Sequence, residues 1–86
     1  MPFTVINDEQ MFKRLTKYIN FGQDYKLIIK FGTEWCQPCI EMTENLENAK
    51  EGNNKLLFYS VDVENNEFSD ILVEYNIIKI PYVLIF

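Results

Sequence analysis

Two cysteines are the residues of this sequence whose type and spacing could do chemistry. Cys36 and Cys39 are the only cysteines in the chain, and Gln37 and Pro38 separate them. If the pair begins a helix, unpaired backbone N–H groups and the positive end of the helix dipole stabilise the first thiol as the thiolate that attacks disulfides. The second thiol follows one turn later and can attack a mixed disulfide on the first. The spacing therefore predicts a redox-active disulfide, with Cys36 as the exposed nucleophile and Cys39 as the resolving thiol.

The same residues allow two other interpretations. In an intracellular chain, two cysteines beside an aromatic residue such as Trp35 can be small core residues. A closed structural zinc site would need two carboxylates or a second chain, because the sequence has no histidine and only two thiols. A strand-to-helix turn within a β-α-β pattern favours the redox interpretation, and the fixed φ of Pro38 would hold the thiols in register. We therefore predict no metal, and no cofactor other than the disulfide itself.

The elements that position the cysteines follow from apolar runs and helical stripes. Four β-prone runs predict strands at 3–6, 25–31, 56–63 and 82–86. Helical spacing predicts three helices, one from Asn7 or Asp8 to Gly22, one from Cys36 to Gly52 and the Asn53-Asn54 pair, and one carrying Phe68, Ile71, Leu72 and Tyr75. This order predicts an α/β fold with a mostly parallel central sheet and helices on both faces. Cys36 then lies at the carboxyl end of a strand, where chemistry gathers in such sheets.

Length, composition and charge exclude several functional classes. The 86 residues predict a single domain over 1–86, and the 48% of apolar residues suffice for a globular core. The net charge of −5, with lysines and arginines scattered along the chain, offers no basic patch for nucleic acid or for a membrane surface. The sequence shows neither a signal peptide nor an apolar run of membrane-spanning length. We therefore expect a cytoplasmic protein that binds neither nucleic acid nor membranes.

A longer segment around the cysteines resembles a known family. The stretch Phe31-Gly32-Thr33-Glu34-Trp35-Cys36-Gln37-Pro38-Cys39 resembles the active-site segment of the thioredoxin family, with Gln37 where thioredoxins usually carry Gly. Residues 61–64 and 75–86 resemble the third strand of that family and the segment that leads through its cis-proline. The resemblance implies a thioredoxin-like fold and a reductase of protein disulfides that is itself reduced by a thioredoxin-reductase-like partner.

The resemblance also implies a substrate-binding surface. The Ile80–Pro81 bond should be cis and lie beside Cys36, and the Ile80 backbone should be free to pair with an extended substrate segment. Trp35 and Pro38 should belong to the same surface. Without the resemblance, an ordinary trans bond at a strand start would be the default for Pro81.

Two departures from the family pattern bear on stability and chemistry. The sequence ends at Phe86, so we expect a fold that lacks the family's usual last strand and C-terminal helix. The strand 82–86 should then dimerise through its unpaired edge, pair with a partner's strand or aggregate. Lys30 takes the position of the family's buried Asp, and Ser60 that of the Lys that pairs with it. We expect Lys30 either to extend its ammonium to solvent or to lie near Cys39, where it would favour the thiolate and modulate the redox chemistry.

Two further functions are compatible with the sequence. One is a non-catalytic thioredoxin-like binding or scaffold module in which the cysteines are incidental. The other is an oxidase or isomerase of a secretory compartment. The acidic chain and the Gln-Pro pair between the cysteines disfavour this second function, because a histidine there would favour the thiolate and an oxidising potential.

Overall fold

The computed structural model describes residues 3–19, 24–51 and 55–86 and shows the predicted alternation of strands and helices. The elements in chain order are β1 (Thr4–Val5), α1 (Glu9–Ile19), β2 (Lys26–Gly32), α2 (Gln37–Glu51), β3 (Leu56–Asp62), a 3₁₀ turn (Asn66–Phe68), α3 (Ser69–Glu74) and β4 (Tyr82–Ile85). The predicted helix ends at Gly22 and at 52–54 lie outside the described residues.

The four strands form one sheet in the order β1-β3-β2-β4. β2 pairs in parallel with β3 along its whole length, ending with Gly32 opposite Asp62, and β1 pairs in parallel with the other side of β3. β4 runs antiparallel to β2, with Tyr82 opposite Phe31. The prediction of a mostly parallel sheet is confirmed, and the antiparallel strand brings the start of β4 to the carboxyl end of β2.

Helices cover both faces of the sheet because side chains of β2 alternate between two apolar clusters. The larger cluster joins one face of β2 to α1, α3 and the 3₁₀ turn through Leu27, Ile29, Phe31, Phe12, Ile19, Phe68 and Ile71. The smaller cluster joins the other face of the sheet to α2 through Phe3, Ile28, Phe58 and the partly buried Leu46. The near-continuous apolar sequence of β2 therefore reflects a strand that is covered on both sides.

The first helix begins at a side-chain cap. The Asp8 carboxylate accepts a hydrogen bond from the Met11 N–H at 2.8 Å, which makes Asp8 the N-cap of α1. Of the two caps predicted from the sequence, Asp8 is therefore the one confirmed. Asn7 lies before the cap and outside the helix.

The predicted third helix is shorter than its apolar stripe. Phe68 belongs to the 3₁₀ turn and Tyr75 follows the last residue of α3, although both pack in or against the larger cluster. The Asn65 side chain caps the 3₁₀ turn by accepting a hydrogen bond from the Glu67 N–H at 2.9 Å. Phe68 and Ile71 are thus buried and Leu72 and Tyr75 partly buried, but the four side chains come from the 3₁₀ turn, from α3 and from the residue that follows α3.

The third helix ends in a turn that returns the chain to the core. Asn76 has a φ of 55°, in the left-handed region that asparagine tolerates better than most residues. The Asn76 N–H donates to the Val73 carbonyl oxygen at 3.1 Å, and the Ile77 N–H donates to the Leu72 carbonyl oxygen at 2.8 Å. These two bonds form a Schellman motif, in which Ile77 is buried directly after the turn.

Replacing Phe12 with alanine tests the larger cluster. Phe12 is 2% exposed, and its ring packs against the rings of Phe31, Tyr75 and Phe86. We expect Phe12→Ala to lower the free energy of unfolding by about 3–5 kcal/mol, measured by urea denaturation of the disulfide form. Tyr18→Ala removes a ring from the same helix at a position that is 62% exposed, and it should cost about 0.5 kcal/mol or less. Equal losses in the two variants would contradict the packing assigned to Phe12.

Candidate active site

The two cysteines form a disulfide at the start of α2. Cys36 immediately precedes the helix and Cys39 lies in its first turn, with the Cα atoms 5.2 Å apart. The Cys39 N–H donates to Cys36 Sγ at 3.2 Å, and the Cys36 carbonyl oxygen accepts the first helical hydrogen bond from the Ile40 N–H at 3.1 Å. Cys36 is therefore the N-cap of α2, with its sulfur in the place of a capping oxygen. A thiolate on Cys36 would face an N–H donor and the positive end of the helix dipole.

Both cysteines are buried in this disulfide form. The exposed fraction is 6% for Cys36 and 1% for Cys39, whereas the neighbouring Trp35 is 69% exposed. The prediction of an exposed Cys36 is therefore wrong for the oxidised protein, because its sulfur folds back over the first turn of α2. Cys36 is still the more accessible of the two cysteines, and the assignment of nucleophile and resolving thiol stays a prediction.

Gly32, the last residue of β2, lies directly against the second cysteine. A Cβ atom at this position would lie 2.7 Å from Cys39 Sγ and 3.1 Å from Cys39 Cβ, which is closer than side chains pack. The first turn of α2 therefore approaches β2 so closely that only a glycine fits. Gly32 is not among the site residues predicted from the sequence. The available signal was a glycine that ends a buried strand shortly before the cysteines, since such glycines mark a close approach of backbone.

The Ile80–Pro81 bond is cis, which confirms the prediction. Tyr82 pairs with Phe31 in antiparallel register, so Pro81 comes directly before the first paired residue of β4, and Gly32 comes directly after the last residue of β2 that pairs with it. Gly32 in turn lies against Cys39, so the cis-proline and the disulfide occupy the same edge of the sheet. Ile80 and Pro81 are both half-buried there.

Trp35 and Pro38 are the other two residues predicted to bind substrate. Both are exposed, and they precede and follow Cys36 in the chain. The structure thus places all four predicted binding residues around the carboxyl end of β2. Their contact with substrate stays a prediction.

The fold and the cysteine pair match one protein family. The family model described as Thioredoxin matches residues 3–86, which is nearly the whole chain. The chain belongs to the thioredoxin family. The segment of a thioredoxin that holds its active-site cysteines therefore corresponds to the disulfide at the start of α2.

Curated relatives of this chain are named thioredoxins. The chain is 30% identical over 82 residues to Thioredoxin-T of Drosophila melanogaster, in a match that covers 94% of this chain and 48% of the relative. It is 32% identical over 66 residues to the thioredoxin of Mycoplasma pneumoniae, covering 77% of this chain and 63% of the relative. The chain thus spans about half the length of the first relative and less than two thirds of the second.

Solved thioredoxin structures share the fold. Mitochondrial thioredoxin 3 of Saccharomyces cerevisiae, in its oxidised form, gives a TM-score of 0.76 at 28% identity over 96% of this chain and 72% of that chain. The thioredoxin of Malassezia sympodialis gives a TM-score of 0.74 at 31% identity over 98% and 69% of the two chains. The thioredoxin-like fold that the sequence implies is therefore confirmed.

Lys30, the predicted modulating residue, lies between β2 and α2. Its ammonium donates to Thr43 Oγ1, and Thr43 Oγ1 donates to the Cys39 carbonyl oxygen at 3.0 Å. The ammonium also lies 5.4 Å from the centre of the Phe3 ring, within the range of cation–π attraction. Burial lowers the pKa of Lys30, and the Glu47 carboxylate partly opposes this shift. The side chain is thus held against the cysteine helix rather than extended freely into solvent.

The described residues hold neither a cluster of metal ligands nor a membrane-spanning helix. No group of three or more His, Cys, Asp or Glu side chains within 3–19, 24–51 and 55–86 could hold a metal ion. None of the helices in that part of the chain is long and apolar enough to cross a membrane.

Gly32→Ala tests the contact between β2 and the second cysteine. The new Cβ would lie 2.7 Å from Cys39 Sγ, and the disulfide bond keeps that sulfur from rotating away. We expect the variant to lose about 1–3 kcal/mol of unfolding free energy in the disulfide form. The loss should be smaller in the dithiol form, where the Cys39 side chain can change rotamer.

Urea denaturation of both forms would measure this difference. The disulfide of Gly32→Ala should also become more oxidising, by about 30 mV for each 1.4 kcal/mol of difference, as measured by equilibration with glutathione. The dithiol form is the internal control. An equal loss of stability in both forms would contradict an effect that acts through the Cys39 sulfur.

Proposed function

We propose that this chain is a thiol:disulfide oxidoreductase that reduces protein disulfides through Cys36 and Cys39. The observation that carries the proposal is the Cys36 sulfur at the N-cap of α2, bonded to Cys39 and accepting the Cys39 N–H at 3.2 Å. A sulfur in this position is stabilised as the thiolate, which is the form that attacks disulfides. Membership of the thioredoxin family supports the same activity.

The proposed reaction consists of two thiol–disulfide exchanges. In the first, the Cys36 thiolate attacks a substrate disulfide, so that one substrate sulfur leaves as a thiolate and the other becomes bonded to Cys36. In the second, Cys39 loses its proton and attacks Cys36 Sγ, which forms the Cys36–Cys39 disulfide and releases the second substrate thiolate. Both substrate sulfurs take up protons, so two electrons and two protons pass from the dithiol to the substrate.

The backbone just before β4 is a candidate binding site for an extended substrate segment. Ile80 precedes the cis bond and β4 begins at Tyr82, so the Ile80 backbone lies just outside the sheet. A substrate strand placed there could pair its backbone with Ile80 while Pro81 holds it beside the disulfide. Trp35, which is 69% exposed, and the exposed Pro38 would add apolar contacts near Cys36.

The electron donor and the compartment are further parts of this proposal. We propose a thioredoxin-reductase-like donor, since the relatives of the chain are named thioredoxins. We propose the cytoplasm as the compartment, since a dithiol reductase works where thiols are kept reduced. The net charge of −5 without a basic patch supports protein substrates rather than nucleic acid or membranes.

The two cysteine-to-serine variants should differ in what they accumulate. Cys36→Ser should abolish the dithiothreitol-driven reduction of insulin, because it removes the attacking thiolate. Cys39→Ser should still attack but release product slowly, so that mixed disulfides between Cys36 and substrate accumulate. Non-reducing mass spectrometry would detect these adducts. Serine at position 36 keeps a capping side chain for α2, so loss of activity there would not reflect loss of the helix.

Two outcomes would contradict the proposal. If Cys36→Ser trapped substrate and Cys39→Ser did not, the roles of the two thiols would be reversed. If the unmodified chain neither cycled between dithiol and disulfide at a defined potential nor accelerated insulin reduction, the alternative of a non-catalytic binding module would replace the enzyme.

We also propose that the outer edge of β4 pairs with a second copy of the chain. One side of β4 pairs with β2, and no strand among the described residues pairs with its other side. Ile85 on this strand is 64% exposed. An unpaired apolar edge favours the addition of a strand from another molecule.

Light scattering at rising concentration should therefore detect dimers or larger species of the 86-residue chain. Ile85→Lys places a charge on the edge strand and should shift the chain toward monomer. Ile78→Lys makes the same change at an isoleucine that is 80% exposed outside the sheet, and it should leave association unchanged. A monomer at every concentration, or equal effects of the two variants, would show that β4 is not the pairing surface.

A further inference from the structure

Lys30 shares a face of β2 with the residue that touches the Cys39 sulfur. Side chains two residues apart on a strand point to the same side of the sheet. Ile28, Lys30 and Gly32 therefore all face α2, and Gly32 lies against Cys39 Sγ. Lys30 is thus the neighbour of Gly32 on the face of β2 that packs against α2.

Thr43 connects the Lys30 ammonium to Cys39. Thr43 lies one helical turn after Cys39, accepts the hydrogen bond from Lys30 Nζ and donates to the Cys39 carbonyl oxygen at 3.0 Å. Residues one turn apart on a helix have Cβ atoms roughly 5–6 Å apart. An ammonium bonded to the Thr43 hydroxyl is therefore close enough to act on the Cys39 sulfur through its charge.

The surroundings of the ammonium leave its charge largely uncompensated. Its direct partners among the described residues are a neutral hydroxyl and the Phe3 ring, which is itself buried. Glu47 acts on Lys30 through its charge alone, and its effect is smaller than that of burial, which lowers the Lys30 pKa. In a partly buried setting of this kind, charges interact more strongly than they do in water.

A cavity of about 410 Å³ lies beside Lys30 and extends to Gly32 and Thr43. Ser60, which is paired with Lys30 across β2 and β3, also lines it. The charged groups that face the cavity from the loop before α2, from α2 and from the end of β3 are Glu34, Glu44, Glu47 and Asp62. Its lining also includes apolar side chains, but the polar and charged groups among them offer hydrogen-bond partners, so a cavity of this size admits water. Protons can therefore reach the neighbourhood of Cys39, although that residue is only 1% exposed.

We propose that Lys30 is a positioning residue whose ammonium, held by Thr43, favours the thiolate of Cys39 and so speeds release of the mixed disulfide. The Cys39 thiol gives its proton to water in the cavity, and the thiolate forms near the ammonium. It then attacks Cys36 Sγ as the substrate thiolate leaves. Lys30 exchanges no electrons in this step and only lowers the free energy of the thiolate. This kinetic role rests on the proposed disulfide reductase activity, whereas the effect on the thiolate does not.

Titration of Cys39 alone tests the charge effect without any substrate. Cys36→Ser leaves Cys39 as the only thiol, so ultraviolet absorbance of the thiolate reports its ionisation. In this background, Lys30→Met should move the midpoint of thiol ionisation to higher pH by about one unit, a tenfold fall in the thiolate fraction below the midpoint. Lys26→Met is the matched control, because it removes an exposed lysine from the same strand, and it should leave the midpoint unchanged.

Lys30→Arg separates charge from proton exchange. Burial lowers the pKa of Lys30, so the ammonium can titrate together with the thiol, and the observed midpoint belongs to the coupled pair of Lys30 and Cys39. Arginine stays charged throughout, so Lys30→Arg should keep the low midpoint. Glu47→Gln removes the opposing charge and should move the midpoint to lower pH.

With both cysteines present, two further measurements follow the consequence for the reaction. Stopped-flow kinetics should show that Lys30→Met slows release of the mixed disulfide by about tenfold near neutral pH, with the rates converging at high pH where the thiolate forms unaided. Equilibration with glutathione should give Lys30→Met a more negative reduction potential. The ammonium stabilises the reduced protein when Cys39 is ionised, and its loss removes that stabilisation. A tenfold change in that equilibrium corresponds to about 30 mV.

An unchanged midpoint in Lys30→Met would overturn the inference, and so would an equal shift in Lys26→Met or a shift that Lys30→Arg fails to prevent. Each of these results would leave the proposed reductase activity intact. If the midpoint shifts as expected but the unmodified chain reduces no disulfides, the charge effect on Cys39 stands and only the proposed activity fails.

Discussion

The active-site edge of this protein depends on how closely the first turn of α2 approaches the end of β2. At Gly32 there is no room for a Cβ atom beside Cys39 Sγ. The first turn of α2 therefore lies directly against the end of β2. Cys36, the N-cap of this helix, lies at the same place. Pro81 comes directly before the first β4 residue that pairs with β2, so the cis-proline lies at the same end of β2. The start of α2, the end of β2 and the cis-proline thus lie together at one end of the sheet.

Much of the fold could be predicted, because the sequence patterns that indicate each strand and helix lie within that strand or helix. The apolar sequence of β2 indicates a strand covered on both faces, and Asn7 and Asp8 predict the start of α1 to within one residue, with Asp8 as the observed cap. The disulfide follows from the spacing of Cys36 and Cys39 at a strand-to-helix turn. The cis bond before Pro81 was different, because only the resemblance to a family indicated it, whereas the residues alone favoured a trans bond.

The features that could not be predicted are contacts between elements distant in sequence. The burial of Cys36 depends on how its sulfur folds over α2, which residue type does not reveal. The surroundings of Lys30 depend on Thr43 of the next helix and on Phe3 at the start of the chain. A lysine whose direct partners are a hydroxyl and a ring, rather than a carboxylate, keeps its charge available to its neighbours. Periodicity cannot distinguish these surroundings from those of an exposed strand-end lysine.

Because of the Schellman motif after α3, the position of the cis-proline does not depend on which side chains the preceding loop exposes. Asn76 and the buried Ile77 tie one end of this loop to the core, and β4 ties the other end to β2. Between these anchors, Ile78 and Lys79 are exposed and available to change. Substitutions at these two positions would therefore change the charge or the apolar surface of the loop without moving the segments that anchor its two ends.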